Sequence, residues 1–133
     1  MKKNNPSSSS PQGNLADNVR AFFDWLVSVK NASPHTIHAY RDAITLFVRF
    51  LVDQTGQKAE RLSIDDKTHD LVLAFLRIIE SERKVSISTR NHRLSVLKSF
   101  FHFVAYREPL LASYCRQVTL IPIKKRAMKL LDY

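Results

Sequence analysis

The chain has 133 residues, of which 44% are hydrophobic, so it can bury one core but is too short for a second domain of ordinary size. No apolar run approaches about 18 residues and the N-terminus lacks a hydrophobic segment, which excludes a membrane span and a signal peptide and predicts a soluble intracellular protein. The net charge of +9 lies wholly in residues 83–133, where eleven Lys/Arg face two acids, and this indicates a polyanionic partner such as nucleic acid or a solvated basic face that maintains solubility.

The first predicted segment is a disordered tail over residues 1–13, because its Ser, Pro, Asn and Lys residues offer too little apolar surface to offset the entropy of ordering. Beyond it, apolar residues recur three and four positions apart, which is typical of amphipathic helices. Helix one spans residues 15–30, helix three 68–82 and helix four 87–107. Helix two begins after Ser33 as its N-cap, with Pro34 in the first turn, and stops near Gly56.

The last predicted elements follow Pro109, where "PLLASYC" indicates a short helix and "QVTLIPIKKR" looks extended. Glycine is scarce and no alternating apolar pattern occurs, so the predicted class is all-α, a compact bundle of four to five short helices.

Two helix starts share a short motif, since "SPHT" at 33–36 and "SIST" at 86–89 both read Ser-x-x-Thr before an amphipathic helix. Ser33 and Ser86 can cap the helix, while the free N–H groups of the first turn and the hydroxyls of Thr36 and Thr89 can bind a phosphate. The alternative is helix capping alone. We do not expect the shared motif to be part of a longer internal repeat.

Helix four combines a core side with a cationic side and contains no acid. At about 100° per residue, one side carries Leu94, Leu97, Phe101 and Val104, widened by Val96, Phe100 and Phe103. The other side carries Asn91, Ser95, Lys98 and His102, and Arg90 and Arg93 flank it near the N-terminal end. Such a stripe suits a major groove, where Asn and Lys reach base edges and arginines hold the backbone.

Helix two carries a matching stripe of His38, Arg41, Thr45 and Arg49. Asp42 lies within it, either as an acceptor from cytosine or as a partner of Arg49, and we favour the partner. His35 and His38 have the spacing of metal ligands, but no third ligand is placed nearby, so they are better interpreted as solvated or phosphate-contacting. We expect no metal and no cofactor.

Catalytic motifs are absent from the sequence, which has no glycine-rich phosphate loop and no convincing Ser/His/Asp or Cys/His pairing. Cys115, the single cysteine, excludes an internal disulfide and is expected to be a small apolar filler. We therefore expect neither a small-molecule substrate nor a membrane partner.

Three stretches together resemble the N-terminal core-binding domain of tyrosine recombinases of the phage integrase and Xer type: "FFDWL", "SPHTIHAYRDAITLFVRFL" and "STRNHRLSVLKSFFHF". Thr36 and Tyr40 match the family pattern of the second helix. The fourth-helix pattern is matched by Thr89, Asn91, Leu94, Ser95, Leu97, Lys98 and Phe100 or Phe101. Lys98 stands where arginine is common, and His92 where an arginine follows the asparagine, so a bidentate guanidinium contact is lost.

The resemblance implies a SAM-like helical domain over residues 14–118 and a basic interdomain linker over 119–133. This domain would form half of a clamp that closes on duplex DNA at a recombination or attachment site, with helices two and four along the major groove. The implied DNA-binding residues are Ser33, His35, Thr36, His38, Arg41, Thr45, Ser88, Thr89, Arg90, Asn91, Arg93, Ser95, Lys98, Lys124, Lys125 and Arg126. The basic run at 124–126 would track phosphates, or form a charged tail.

The family's catalytic residues belong to a second domain, so the resemblance implies a truncated recombinase or an isolated DNA-binding domain that is not an enzyme. Tyr133 lacks every catalytic partner and is not expected to be a nucleophile. We expect a cytoplasmic bacterial protein that is nucleoid-associated when bound, with other recombinase protomers as further partners. The alternatives are a helical protein-interaction module with an acidic partner, a helix-turn-helix regulator and an active enzyme.

Overall fold

The computed structural model of the chain describes residues 13–125, and this part is built from α-helices without a β-strand. The helices are α1 (Leu15–Ser28), α2 (Pro34–Thr55), α3 (Thr68–Ser81), α4 (Ile87–Arg107) and α5 (Ala112–Thr119), with short 3₁₀ turns at Ala59–Arg61 and Pro109–Leu111. The predicted all-α class is confirmed. Of the helices in this described part, none combines the length and hydropathy of a membrane-spanning segment.

The two long helices begin where the Ser-x-x-Thr motifs predict. The Ser33 side chain accepts a hydrogen bond from the Thr36 amide at 3.1 Å, and Ser86 accepts one from the Thr89 amide at 3.0 Å. Each bond satisfies one of the first-turn N–H groups that have no partner within the helix. α2 ends at Gly56, whose φ of 71° is the left-handed conformation that glycine adopts without strain.

α1 and α3 end one to two residues earlier than predicted, and both end in the same way. The Ala32 amide donates to the Leu26 carbonyl at 2.9 Å around Asn31, which has a φ of 52°. The Val85 amide donates to the Ile79 carbonyl at 3.2 Å around Lys84, which has a φ of 56°. A hydrogen bond that spans six residues around a left-handed residue stops a helix sharply.

These shared details extend to a structural repeat of two helix pairs, α1–α2 and α3–α4. The second pair lies 53 residues after the first, since α1 begins at residue 15 and α3 at 68, and α2 begins at 34 and α4 at 87. The ends of α1 and α3, the left-handed residues Asn31 and Lys84 and the serine caps keep this offset, while the ends of α2 and α4 are 52 residues apart. The sequence motif predicted no repeat beyond the two helix starts, and that prediction is wrong, because the repeat covers most of the described chain.

The two pairs contact each other reciprocally through phenylalanines. Phe22 of α1 meets Phe100 of α4 edge-on, with ring centroids 5.5 Å apart. At the equivalent positions, Phe75 of α3 meets Phe47 of α2 edge-on at 5.3 Å. Each helix pair therefore presents equivalent phenylalanines to the other, in the reciprocal manner of contacts across a two-fold axis.

α5 closes the bundle by packing on α3 and α4. Cys115 of α5 is completely buried, which confirms its prediction as an apolar filler. Burial removes water from the thiol, and together with the nearby Glu108 carboxylate it raises the pKa of Cys115 from 9.0 to about 11.

Both ends of the described chain are attached to the bundle. Gly13, which the sequence analysis assigned to the tail, donates its amide to Glu108 Oε1 at 3.1 Å and accepts from the Ile64 amide at 2.7 Å. At the other end, α5 continues to Thr119 and Ile121 is only 5% exposed. The first residues of the predicted linker therefore belong to the packed domain. The rest of the predicted tail and linker, residues 1–12 and 126–133, lies outside the described residues.

Candidate nucleic-acid interface

The two caps present the same hydroxyl pair at the starts of α2 and α4. Ser33 Oγ donates to Thr36 Oγ1 and Ser86 Oγ donates to Thr89 Oγ1, both at 3.1 Å. Each threonine hydroxyl keeps its own hydrogen for an outside acceptor. His35 and Ser88, the middle residues of the two motifs, are exposed.

The α2 stripe is defined by His38, Arg41, Thr45 and Arg49, and all four side chains are exposed. The Arg41 guanidinium lies 5.7 Å from the centre of the Phe23 ring, so a cation–π contact with α1 orients it. Asp42 lies 3.6 Å from His38 Nε2, which corrects the predicted pairing with Arg49. Seven residues separate Asp42 from Arg49, about 10 Å of helix rise, whereas His38 is one turn away.

The α4 stripe is defined by Asn91, Ser95, Lys98 and His102. Ser95 and His102 are exposed, and Asn91 and Lys98 are half-buried. The predicted core side of α4 is confirmed, because Leu94, Leu97, Phe101 and Val104 are at most 1% exposed. In the repeat, Asn91, Lys98 and His102 occupy the positions of His38, Thr45 and Arg49. The correspondence is partial, because Arg41 corresponds to the buried Leu94 and Ser95 to Asp42.

The two arginines expected beside the α4 stripe lie on its inner side. The Arg90 side chain is 8% exposed, and its Nε lies 3.6 Å from Glu80 Oε1. Arg93 is half-buried, and its Nη1 is shielded from solvent without an acceptor among residues 13–125. The reason is helical spacing, since Arg90 precedes Leu94 by four residues and shares its side of the helix. The Arg90 guanidinium is therefore not displayed as predicted, whereas Arg93 is shielded at Nη1 only.

Asn91 and Lys124, both predicted to contact DNA, contact each other in the structure. Asn91 Nδ2 donates to the Lys124 carbonyl at 2.9 Å, and the Lys124 amide donates to Asn91 Oδ1 at 3.0 Å. Lys124 Nζ also donates to the Glu80 carboxylate at 2.8 Å. Lys125 is exposed, and Arg126 lies outside the described residues.

Sequence reasoning missed a cleft of about 630 Å³ between the helix pairs. Its walls include Trp25 and Phe103, whose rings are 5.5 Å apart, and Lys30 Nζ lies 5.7 Å from the centre of the Trp25 ring. Tyr40 of α2 and His102 of the α4 stripe line the same cleft, so it adjoins the α4 stripe. The aromatic residues at helical spacing predicted only a core, and no local pattern marked an opening.

The two stripes and caps offer hydroxyl, amide, imidazole, ammonium and guanidinium groups. Most of these donate hydrogen bonds, and phosphate oxygens and the acceptors of base edges are their natural partners. α4 itself has no Asp or Glu to repel a phosphate. Between residues 13 and 125, no group of three or more His, Cys, Asp or Glu side chains is arranged to hold a metal ion.

Comparison with known proteins identifies sequences similar to this chain. The family model described as "Phage integrase, N-terminal SAM-like domain" matches residues 19–108. Among individual proteins, the chain is 38% identical over 100 residues to y4rD of Sinorhizobium fredii, named as a candidate integrase/recombinase. It is 40% identical over 93 residues to the tyrosine recombinase XerC of Roseiflexus castenholzii.

These matches cover much of the chain but only part of each relative. The matched residues are 75% of this chain and 36% of y4rD, and 70% of this chain and 28% of the Roseiflexus XerC. The chain thus spans about a third of the length of the curated relatives it matches. No solved structure gives a significant match.

Proposed function

Because the chain belongs to the phage integrase N-terminal SAM-like domain family, the N-terminal domain of tyrosine recombinases, we propose that it binds duplex DNA at a recombination or attachment site. The observation that carries this proposal is the pair of stripes on α2 and α4. Three of the four positions of each stripe are equivalent in the repeat, and each stripe follows a Ser-x-x-Thr cap. Two equivalent helices suit a ligand that is itself a regular, two-stranded helix.

The proposed division of labour follows from the chemistry of each side chain. The cap hydroxyls of Thr36 and Thr89, with the free first-turn amides, hold phosphates, because a helix N-terminus favours an anion. Arg41 adds a guanidinium to the same backbone. Thr45 and Lys98, at equivalent places further along α2 and α4, face the base edges.

Arg90 and Arg93 take a supporting role in this proposal. Their guanidinium groups lie on the inner side of α4, where Arg90 approaches Glu80 of α3. Arg90 sets the position of the α4 stripe relative to α3 through Glu80 and does not touch the DNA.

Cutting and rejoining of DNA, implied by the names of the relatives, belongs in this proposal to the parts of those relatives that the chain does not match. The domain binds the recombination site and fixes the position of the protein along it. Other recombinase protomers bind the same DNA. In the cell it acts at the nucleoid. The 133-residue chain should bind duplex DNA without cleaving it.

The proposal is tested by fluorescence anisotropy on a short labelled duplex with two charge-matched variants. Arg41→Ala removes a stripe cation, and Arg77→Ala removes an exposed cation from α3, a helix that carries neither stripe. Arg41→Ala should weaken binding and make the salt slope shallower by about 1, whereas Arg77→Ala should do neither. If the two variants change affinity and salt slope equally, binding depends on the net charge of the chain and not on the stripes.

The same measurement separates DNA from an acidic protein partner. Excess polyglutamate should displace the duplex only weakly, because it has no groove and its charge spacing differs from that of DNA. If polyglutamate displaces the labelled duplex as well as unlabelled duplex does at equal charge concentration, the result would favour an acidic protein as the partner.

A further inference from the structure

The chain that follows α5 is fastened to the bundle by a set of contacts that we call the Asn91 clamp, formed by Asn91, Lys124 and Glu80. We propose that Asn91 is a positioning residue, which fixes where the basic segment after α5 leaves the domain, and that it does not read bases. The part of this inference that concerns DNA rests on the proposed function. The clamp itself does not.

The centre of the clamp is a two-way hydrogen bond between a side-chain amide and a backbone. Asn91 Nδ2 donates to the Lys124 carbonyl at 2.9 Å, while the Lys124 amide donates to Asn91 Oδ1 at 3.0 Å. Both polar groups of one residue's backbone are thereby held by one planar side chain 33 residues away. This geometry fixes the direction of the chain as well as its location.

Further contacts hold Lys124 from other sides. Its Nζ donates to both Glu80 oxygens, at 2.8 and 3.0 Å. Arg90 Nη1 donates to Asn91 Oδ1 at 3.1 Å, and its Nε lies 3.6 Å from the same Glu80 carboxylate. Three residues before Lys124, the buried Ile121 anchors the chain in the core.

These contacts leave Asn91 unable to read adenine. Its Oδ1 already accepts from the Lys124 amide and from Arg90, and one of its two amide hydrogens is donated to the Lys124 carbonyl. An amide oxygen has two lone pairs, and both are used here. The one group of the Asn91 side chain that remains free is the second Nδ2 hydrogen. Bidentate pairing with adenine needs a donor and an acceptor together, and the acceptor is occupied.

The equivalent residue of the first helix pair shows that the clamp is not part of the repeat. His38 stands there, is exposed, and lies 3.6 Å from Asp42 on its own helix. Among residues 13–125 the clamp occurs only in the second pair, where the chain after α5 returns to α4. Its effect is to hold Lys124, and with it the neighbouring Lys125, at the N-terminal end of the α4 stripe.

The first arm of the test measures hydrogen exchange of the Lys124 amide in the full chain. Asn91→Ala should accelerate this exchange by roughly threefold to tenfold, the factor expected for one lost hydrogen bond. His38→Ala is the matched control at the equivalent position and should leave it unchanged. An unchanged Lys124 amide in Asn91→Ala would overturn the clamp.

A second pair of variants acts from the other side of the clamp and leaves α4 untouched. Lys124→Pro removes both the amide donor and the ammonium group, whereas Lys124→Ala removes the ammonium group alone. If the amide pair positions the segment, Lys124→Pro should speed tryptic cleavage after Lys125 by at least about threefold over Lys124→Ala. Equal cleavage rates would overturn the clamp even if Asn91→Ala failed to fold.

The DNA arm is a double-mutant cycle between Asn91→Ala and the pair Lys125→Ala/Arg126→Ala. A positioning residue acts through the basic segment, so Asn91→Ala should weaken duplex binding severalfold in the natural background and hardly at all once the segment is neutralised. The same loss in both backgrounds would mean direct contact and would overturn the positioning role. Failure of every variant and of the parent to bind duplex would refute the proposed function, while the exchange arm would still decide the clamp.

Discussion

Leu97 and Lys98 are neighbours on α4 and lie in different environments. Leu97 is fully buried among the residues of the core, and Lys98 is half-buried within the α4 stripe. Consecutive helical residues point about 100° apart, so one helix can serve the core and a ligand at once. The two side chains therefore separate stability from binding.

Lys98→Ala should leave the fold intact and weaken DNA binding. The expected loss is about 1 kcal/mol with a salt slope shallower by about 1 if Lys98 holds a phosphate, or about 1–3 kcal/mol at the proper site only if it contacts a guanine. Leu97→Ala should leave a cavity and destabilise the fold by about 2–5 kcal/mol. Melting curves and anisotropy on both variants check this, and unfolding by Lys98→Ala would mean that the stripe is misassigned.

Cys115 gives the fold a dependence on alkaline pH. Because the folded-state pKa of about 11 lies above the ordinary value of 9.0, the protonated thiol favours the folded state below pH 9. That contribution is lost as the pH rises from about 9 to about 11. Urea titrations should show a steeper decline over this window for the natural protein than for Cys115→Ala. Parallel declines would contradict the assignment.

For individual residues, the core side of α4 and the cap serines were predictable from the sequence, because apolar spacing and capping are local properties. It misplaced Arg90, since charge suggested exposure while helical spacing put the residue on the side of Leu94. The partner of Asn91 was not predictable, because Lys124 is 33 residues away and no local pattern joins them.

The helix starts allow a prediction at the scale of the element. Ser86→Ala should destabilise the protein by about 0.5–2 kcal/mol, because the Thr89 amide loses its acceptor. Ser33→Ala should cost a similar amount, since its cap has the same geometry. Ser88→Ala, an exposed position in the same turn, is the control and should change little. Denaturant titration of the three variants checks this, and a cost for Ser88→Ala equal to that for Ser86→Ala would contradict it.

Helix boundaries were predictable wherever a local signal existed. α4 was expected at 87–107 and spans Ile87–Arg107, and α2 runs from its serine cap to Gly56. The ends of α1 and α3 were missed because Asn31 and Lys84, and not glycine, take the left-handed conformation there. The repeat could have been found from residues 53 apart, such as Phe22 with Phe75 and Ser33 with Ser86.

For the whole molecule, charge is segregated along the chain while the fold is built from two similar helix pairs. Residues 83–133 carry the full net charge of +9, so the second pair and the segment after α5 dominate the attraction to a polyanion. The first pair repeats the geometry of the second with a balanced charge. The α2 stripe itself carries two arginines and the α4 stripe one lysine, so the stronger attraction of the second half comes from cations outside its stripe, such as Lys125 in the segment after α5.

The salt dependence of binding to a random duplex tests the central proposal, that the chain binds DNA through cations held against phosphates. If about five phosphates are neutralised, log K should fall against log salt concentration with a slope near −4 to −5. The double variant Arg41→Ala/Lys98→Ala should reduce the steepness by about 2, because each side chain releases about one counterion. A slope near zero for the natural chain would contradict the account and exclude nucleic acid as the partner.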